Sequence, residues 1–450
     1  MAVEIDVRAA LAPDLPAVDR RARIPAGFLA GGRAAGIKAS GRPDLALVVA
    51  PGGPAAAAAV FTPNAFAAAP VRRSRAALTA TGGWVRAIVS SSGCANAATG
   101  AAGDADQARV GELVAGALGI GEAEVLHLST GVIGTRLPLD RVAAGIDALA
   151  SAITATDEGL EAVAVALRTT DSVTKVATLT IALPDANGNL HDVRVSGTAK
   201  GVGMIHPRMA TMLSVILTDA AASPELLGSI LRPAAARTWD QLSVDGDTST
   251  NDTVFLLASG ASPAAPVVAG SPAAAALARA VEAVARDLAR QQAADGEGAT
   301  CLLTCQVTGA LDDAEARAVA RAVVSSSLVK AAAHGKDPNW GRIAGAAGNA
   351  HLAETAVLAA AGLTPEAAYR RGSAPASVDP DRLRIAIAGH LVFDGTAGGP
   401  KPFDRAAARA AMDAPEIVIR LDLGLGTGWG EAFGCDLTEA YVRENSEYTT

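Results

Sequence analysis

Apolar positions along this chain fall into two rhythms. Short continuous runs bounded by Gly and Pro, such as Leu45–Ala50 and Ala59–Thr62, predict buried strands. Val85–Ser90 predicts another, ending in the small-residue loop Ser91–Gly100. Beyond it, Val110, Leu113, Val114 and Leu118 recur at helical spacing and predict a helix capped by Asp104. The same reading predicts helices over about 139–165, 222–239, 272–292 and 312–325. It predicts strands over about 175–183, 190–196, 212–218, 253–259, 301–308 and 383–388. Residues 1–25 lack periodicity and read as a loosely ordered arm, while Pro263–Pro272 and Ala374–Pro380 read as exposed connections. Strands and helices come in mixed order without regular βαβ alternation, so the pattern predicts an α+β fold in layers, not a doubly wound parallel sheet.

Composition narrows the class. The chain has 450 residues, half of them apolar but only 3% aromatic, so alanine carries much of the apolar share. That balance excludes a disordered or collagen-like chain and suits two or three domains of roughly 100–200 residues. A formal net charge of −8 disfavours nucleic acid as a partner. Acidic residues and arginines replace an apolar core in the first 25 positions, so no secretory signal is expected there. Stretches such as Leu45–Phe61 are broken by Pro51, Gly52, Gly53 and Pro54, short of the roughly 20 apolar residues of a membrane span. The expectation is a cytoplasmic protein without membrane contact. Cys94, Cys301, Cys305 and Cys435 do not make a disulfide framework. Cys301 and Cys305 lack a second pair or nearby histidine to complete a metal set, and read as apolar packing.

The stretch richest in chemistry is Gly197-Thr-Ala-Lys-Gly-Val-Gly-Met-Ile-His-Pro-Arg-Met-Ala-Thr-Met-Leu213. Gly201 and Gly203 free the backbone for close approach, Pro207 stiffens the path, and Thr211 opens the apolar run Met212–Leu217. A threonine so placed suits an N-terminal nucleophile. Its hydroxyl can attack the Ala210 carbonyl to give an ester that water cuts, freeing an α-amino group with a pKa of about 7.7–8. That amine can serve as base for its own hydroxyl. The pattern alone fits a structural threonine better, since most threonines that open a strand are structural.

The segment resembles the cleavage region of the self-cleaving ornithine acetyltransferase family (glutamate N-acetyltransferases), approximately Lys-Gly-Ser-Gly-Met-Ile-x-Pro-x-Met-Ala-Thr-Met-Leu. Six further blocks match in order: Ala35–Lys38 with Gly41–Leu47, Ser129–Gly134, Val244–Val254, Asp295–Thr300, Gly335–Arg342 and Cys435–Val442. The resemblance implies mixed β-sheets sandwiched between helical layers, similar to N-terminal-nucleophile hydrolases but differently connected. It implies cleavage between Ala210 and Thr211 into an α chain, 1–210, and a β chain, 211–450, the latter holding a C-terminal α/β subdomain from about residue 270. An α2β2 heterotetramer is the implied assembly. The implied activity is ping-pong transfer of acetyl from N2-acetylornithine to glutamate through acyl-Thr211, with no coenzyme.

The resemblance also assigns roles. The Thr130 hydroxyl and the Gly131 N–H are the implied oxyanion hole, although Ser129-Thr-Gly131 is also ordinary turn composition. Lys200, Glu297, Asn445 and Thr450, with Thr130 and Thr211, are the implied substrate contacts. Without the resemblance, Lys200 reads as a solvated loop lysine and Asp-Gly-Glu297-Gly as a turn. Asp245, Asp247 and Asp252 lack EF-hand spacing and read as a hydrogen-bonded turn near the site. No metal is expected. His206 and His334 are dispensable as bases, with His334 expected in a loop. Lys330, Asp337, Asn339, Trp340 and Arg342 are expected to support the site. Departures from the family pattern fall at Ser91, Cys94, Val202, His206, Arg208 and Cys301, the last replacing a lysine near Glu297. They leave room for other substrates, and for an amidase or aminopeptidase in which water deacylates the same threonine.

Overall fold

Residues 14–206, 212–352, 364 and 374–447 are described in a computed structural model of the chain. Ala210 and Thr211, with Arg208, lie outside the described residues, as does Thr450. The chain opens with β1 (Leu29–Arg33), β2 (Leu45–Val49) and β3 (Ala55–Phe61), then α1 (Ala69–Thr81), the short β4 (Trp84–Val85) and β5 (Ala87–Cys94). Next come α2 (Gly100–Leu118), β6 (Val125–Val132), α3 (Leu139–Ala150), α4 (Asp157–Leu167) and the long hairpin β7 (Lys175–Pro184) with β8 (Leu190–Lys200). Then follow β9 (Leu213–Thr218), α5 (Pro224–Arg237), β10 (Leu242–Ser243), β11 (Thr253–Ala258) and α6 (Pro272–Ala294). After these come β12 (Leu302–Ala310), α7 (Asp313–Ser325), α8 (Ser327–His334) and α9 (Trp340–Gly348). The remainder holds β13 (Arg384–Ile387), β14 (His390–Asp394), β15 (Gly399–Pro400), α10 (Arg405–Ala411), β16 (Glu416–Asp422), β17 (Gly428–Cys435) and α11 (Glu439–Glu447).

These strands form three sheets that mix parallel and antiparallel pairs, in the orders β1-β2-β5-β6, β4-β3-β11-β9-β8-β7 and β10-β17-β12-β16-β13-β14-β15. The fold is α+β, as the mixed element order predicts. Strands β9 and β11 are buried on both faces, which is why they read as unbroken apolar runs. Leu213, Val215, Leu217, Phe255 and Leu257 point one way and meet Ala46, Val48, Ile88, Leu126 and Leu128 of the first sheet. Ile216 and Leu256 point the other way, into a core shared with α5 and α6. The outer face of the first sheet, Leu45, Leu47, Ala87 and Val89, packs against α2 and α3. The result is helix, sheet, sheet, helix, with each buried Leu, Ile or Val contributing ~1.5–3 kcal/mol. The third sheet packs its own apolar face against α7, α8 and α9.

Alanine decides the close contacts. In β3 the run Ala55–Ala59 lets α5 lie near the backbone, and Gly197 in β8 serves the same end under α6. A Cβ at Gly197 would lie 2.8 Å from both Leu288 and Val284.

Several boundaries differ from the pattern's expectation. The helix expected over 139–165 is two helices, because Thr154 leaves the helical path to exchange backbone hydrogen bonds with Ala30 and Thr156 then caps α4. Helix α2 starts at Gly100, so Asp104 lies inside it and pairs with Arg72 instead of capping. Strand β5 runs on to Cys94, since its parallel ladder with β6 continues through Gly93 opposite Gly131. Residues 14–25 of the expected loose arm are tied down. Asp19 bridges Thr178, and the Ile24 N–H donates to Asp157 at 2.9 Å. His334 ends helix α8 instead of lying in a loop.

Candidate active site

The C-terminal ends of β6 and β8 open onto one cavity of about 140 Å³, room for an amino-acid-sized ligand. Its wall contains Thr130 and Gly131 from β6, Lys200 from β8, Glu297 from the turn after α6 and Asn445 from α11. Residues separated by up to 315 positions in the sequence, 130 to 445, thus meet around one space. Thr169, Thr170, Val202, Gly203, Ser249, Thr250 and Asn251 complete much of the lining.

Thr130 and Lys200 act on each other. Both are buried, and the Lys200 ammonium donates to the Thr130 hydroxyl oxygen at 3.0 Å. A hydroxyl that accepts from a cation keeps its own hydrogen for a second partner and becomes a stronger donor. Lys200 is therefore no solvated loop lysine. Burial pushes it below the ordinary lysine range, and the Asp171 carboxylate pulls it back up. Gly131 has φ +127°, and a Cβ there would lie 2.3 Å from the Gly93 carbonyl carbon and 2.6 Å from the Cys94 nitrogen. Only glycine fits this position.

Behind Lys200 stands a buried charge cluster that the sequence reading missed. The Lys175 ammonium, fully buried, lies 2.7 Å from Asp171 and 2.6 Å from Asp295. Asp171 also accepts the Gly201 N–H at 2.8 Å. Burial opposes ionisation of Asp171, but Lys200 and Lys175 overcome it and hold the carboxyl at about 2. The cluster fastens the segment after α4 to the 295–298 turn. The same segment presents Thr170, whose hydroxyl donates to Glu297 Oε1 at 2.8 Å, while the Asn445 amide donates to Oε2 at 3.0 Å. Gly203 makes room for this carboxylate, since a Cβ there would fall 2.2 Å from Oε2. Thr170 carries no motif signal of its own. Lys175 at the head of an apolar strand was the available hint of a buried partner.

The acidic loop proves to be the hydrogen-bonded turn expected of it. Asp245 accepts the N–H groups of Met204 and Ile205, and Asp252 Oδ1 accepts the Met212 N–H at 2.8 Å. One loop thus grips the described residues on both sides of the 207–211 segment. Leu213, two positions after Thr211 in sequence, pairs with Lys200 across the β8–β9 ladder. Asn251 donates from Nδ2 to the Ala95 and Ser129 carbonyls, fixing this loop against the end of β6. Asp44, fully buried, braces the opening motif by accepting from the Ala35, Ile37 and Lys38 N–H groups. Burial lowers the Lys38 ammonium to about 8.

The departures from the family pattern separate by place. Ser91 is buried within β5, and Cys94 turns its thiol to the Thr135 carbonyl at 3.2 Å. His206 pairs through Nδ1 with the Ser243 hydroxyl at 3.0 Å. Cys301 lies in the apolar core under the third sheet, its thiol pushed up to about 11 by burial, and does not line the cavity. The charge change expected near Glu297 from this cysteine is thus removed from the cavity wall. Val202 does line it. The block from Gly335 to Arg342 belongs to the third sheet's layer, where Asn339 caps α9 and Trp340 stacks on Phe393 at 5.0 Å. Lys330, another of the expected supports, donates to the Cys435 carbonyl at the end of β17 and does not line the cavity.

Among the described residues no helix is long and apolar enough to cross a membrane, and no cluster of His, Cys, Asp and Glu is arranged to hold a metal.

The model of the ArgJ family matches residues 29–450. The chain is 45% identical over 428 residues to the arginine biosynthesis bifunctional protein ArgJ of Thermus thermophilus, covering 95% of this chain and 99% of that one. It is 46% identical over 426 residues to the protein of the same name from Synechococcus sp., covering 95% and 96%. Among solved structures, ornithine acetyltransferase complexed with ornithine from Mycobacterium tuberculosis is 40% identical, with a TM-score of 0.38 over 42% of this chain and 98% of that chain.

Proposed function

Because this chain belongs to the ArgJ family, we propose that it is an ornithine acetyltransferase, moving acetyl from N2-acetylornithine to glutamate in arginine biosynthesis. The observation that carries the reading is the meeting of Thr130, Gly131, Lys200, Glu297 and Asn445 around one cavity.

In this reading the Thr211 hydroxyl attacks the Ala210 carbonyl, the peptide nitrogen leaves as the Thr211 amine, and water cuts the resulting ester. The products are an α chain of residues 1–210 and a β chain of 211–450. The free amine then takes the hydroxyl proton as Thr211 attacks the acetyl carbonyl of acetylornithine. Thr130 and Gly131 donate to the tetrahedral oxygen, and the leaving ornithine amine takes the proton back. Glutamate enters, its α-amine attacks the acyl ester, and acetylglutamate leaves with Thr211 restored. Glu297, held by Thr170 and Asn445, suits an N–H of the substrates' free amine, and Lys200 their carboxylate. The terminal Thr450 is assigned to the same substrate contacts. The assembly proposed is an α2β2 heterotetramer in the cytoplasm.

Intact-mass measurement tests the first half of this reading: the purified protein is expected as two chains, the second beginning at Thr211. Incubation with acetylornithine is expected to add one acetyl mass to that second chain, and glutamate to remove it as acetylglutamate. An uncut chain overturns the reading. Release of acetate with no acetylglutamate points instead to an amidase.

A further inference from the structure

His334 does not touch the cavity, yet two carboxylates face its ring from two different elements. Its Nδ1 lies 3.2 Å from Asp436, at the end of β17, and its Nε2 lies 3.2 Å from Glu439, in the first turn of α11. The ring sits at the C-terminus of α8, where a helix favours positive charge. A neutral imidazole donates at one nitrogen only, whereas an imidazolium donates at both.

Asp436 ties this corner of the molecule together. Fully buried, it accepts the Thr300 N–H at 2.8 Å, the Cys301 N–H at 3.2 Å and the Thr300 hydroxyl at 2.5 Å. It therefore fixes the far end of the turn that carries Glu297. Two residues on, the Thr438 hydroxyl donates to the Gly298 carbonyl at 2.7 Å and accepts the Tyr441 N–H at 3.2 Å. Helix and turn are in backbone contact here, for a Cβ at Gly298 would lie 2.3 Å from the Tyr441 nitrogen. One face of α11 then brings Asn445 to Glu297. The cavity's carboxylate and its amide partner thus come from two elements joined through Asp436, and His334 holds both that aspartate and the start of the helix.

We propose that His334 is a positioning residue for substrate binding: by bridging Asp436 and Glu439 it sets α11 against the 295–301 turn, and so sets the Glu297–Asn445 pair. The inference rests on the acetyltransferase reading and adds a part to it. Loss of the bridge leaves the Thr130–Lys200 side untouched, so binding suffers and the acyl-transfer step does not.

The test uses the full chain after self-processing, with His334→Ala and His334→Gln. In His334→Ala, KM for glutamate and for acetylornithine is expected to rise ~10-fold with kcat within about twofold of wild type. His334→Gln, which keeps a single donating nitrogen, is expected between the two, and imidazole added to His334→Ala is expected to lower KM toward wild type. Ornithine affinity by calorimetry on both variants gives a readout that does not depend on turnover. Glu439→Ala is expected to raise KM less than His334→Ala, because its carboxylate is 85% exposed. Intact mass is expected to show both variants cleaved as wild type. Unchanged KM and ornithine affinity overturn the proposal, as does a fall in kcat at constant KM or a KM that imidazole does not move. Failure of the wild type itself to cleave or transfer acetyl would sink the acetyltransferase reading instead.

Discussion

Replacing Lys200 by Met removes one ammonium and keeps most of the side chain's volume, which isolates its electrical role. The fold has reason to survive. Asp171, the nearest counter-charge, keeps Lys175 at 2.7 Å and the Gly201 N–H at 2.8 Å. What is lost is the charged donor 3.0 Å from the Thr130 hydroxyl, in a place shielded from water. A hydrogen bond to a charged group contributes ~1.5–3 kcal/mol. At 1.36 kcal/mol per decade, that range is roughly a 10- to 150-fold loss in kcat/KM. Lys200 is also the group assigned to the substrate carboxylate, so the loss is expected in both kcat and KM. Steady-state acetyl transfer with both substrates, alongside thermal melting, is the assay. Melting within a few degrees of wild type with the expected loss of rate supports the assignment. Activity within about threefold of wild type would refute it, for then the bond to Thr130 contributes nothing to the oxyanion donors.

Three further outcomes are expected from the same geometry. Lys175→Met takes the ammonium from between the buried Asp171 and the nearly buried Asp295 and is expected to cost ~3 kcal/mol in denaturant unfolding, with Asp171→Asn in the same chain recovering part of it. Gly131→Ala drives a Cβ into the Gly93–Cys94 backbone, and acetyl transfer is expected to fall ~100-fold or more as the oxyanion donors shift. His127, fully buried beside Gln107, is held down to about 3 by burial and then by the Arg73 charge. The unfolded chain binds a proton near 6.5 that the folded one refuses, so this stability is whole above that pH and is lost as pH falls toward 3, at up to ~1.4 kcal/mol per pH unit. Melting curves from pH 7 to 5 are expected to fall less steeply in His127→Leu than in wild type.

How far the pattern reached depends on what each feature needed. Strands β9 and β11 were plain in the sequence because a sheet covers one face and helices the other, leaving few polar positions to interrupt the run. The break between α3 and α4 was not, because Ala30, over 120 residues earlier, creates it by claiming the Thr154 backbone. Capping of α2 was misplaced for a related reason: Asp104 has the right side chain for a cap, but the chain turns helical at Gly100. In the candidate site, Thr130, Gly131, Lys200 and Glu297 were named from matched blocks and Asn445 from the family's closing contacts, one by one, with no hint that they share a cavity. Thr170 was overlooked since two threonines before an aspartate have no periodicity to betray them. Its role depends on Glu297, which lies 127 residues away and is brought near by the Lys175 ion cluster.

The same distinction sorts the positions where this chain departs from its family's pattern. A substitution in a core must satisfy packing, and one in a cavity wall must satisfy a ligand. Cys94 and Cys301 answer the first demand: one gives its thiol to a carbonyl, the other is sunk in apolar contacts with a thiol held protonated by burial. Ser91 sits within a ladder, flanked by Leu45 and Ser129. Val202 faces the second demand, because its side chain stands where the family pattern has a hydroxyl and its carbonyl receives the Glu297 N–H at 2.8 Å. Trading hydroxyl for isopropyl removes a donor and an acceptor from the wall beside the Glu297 carboxylate while leaving the charged partners in place. The cavity wall therefore departs from the family pattern at Val202 and not at the cysteines, although the cysteines stand out more when the sequence is read alone.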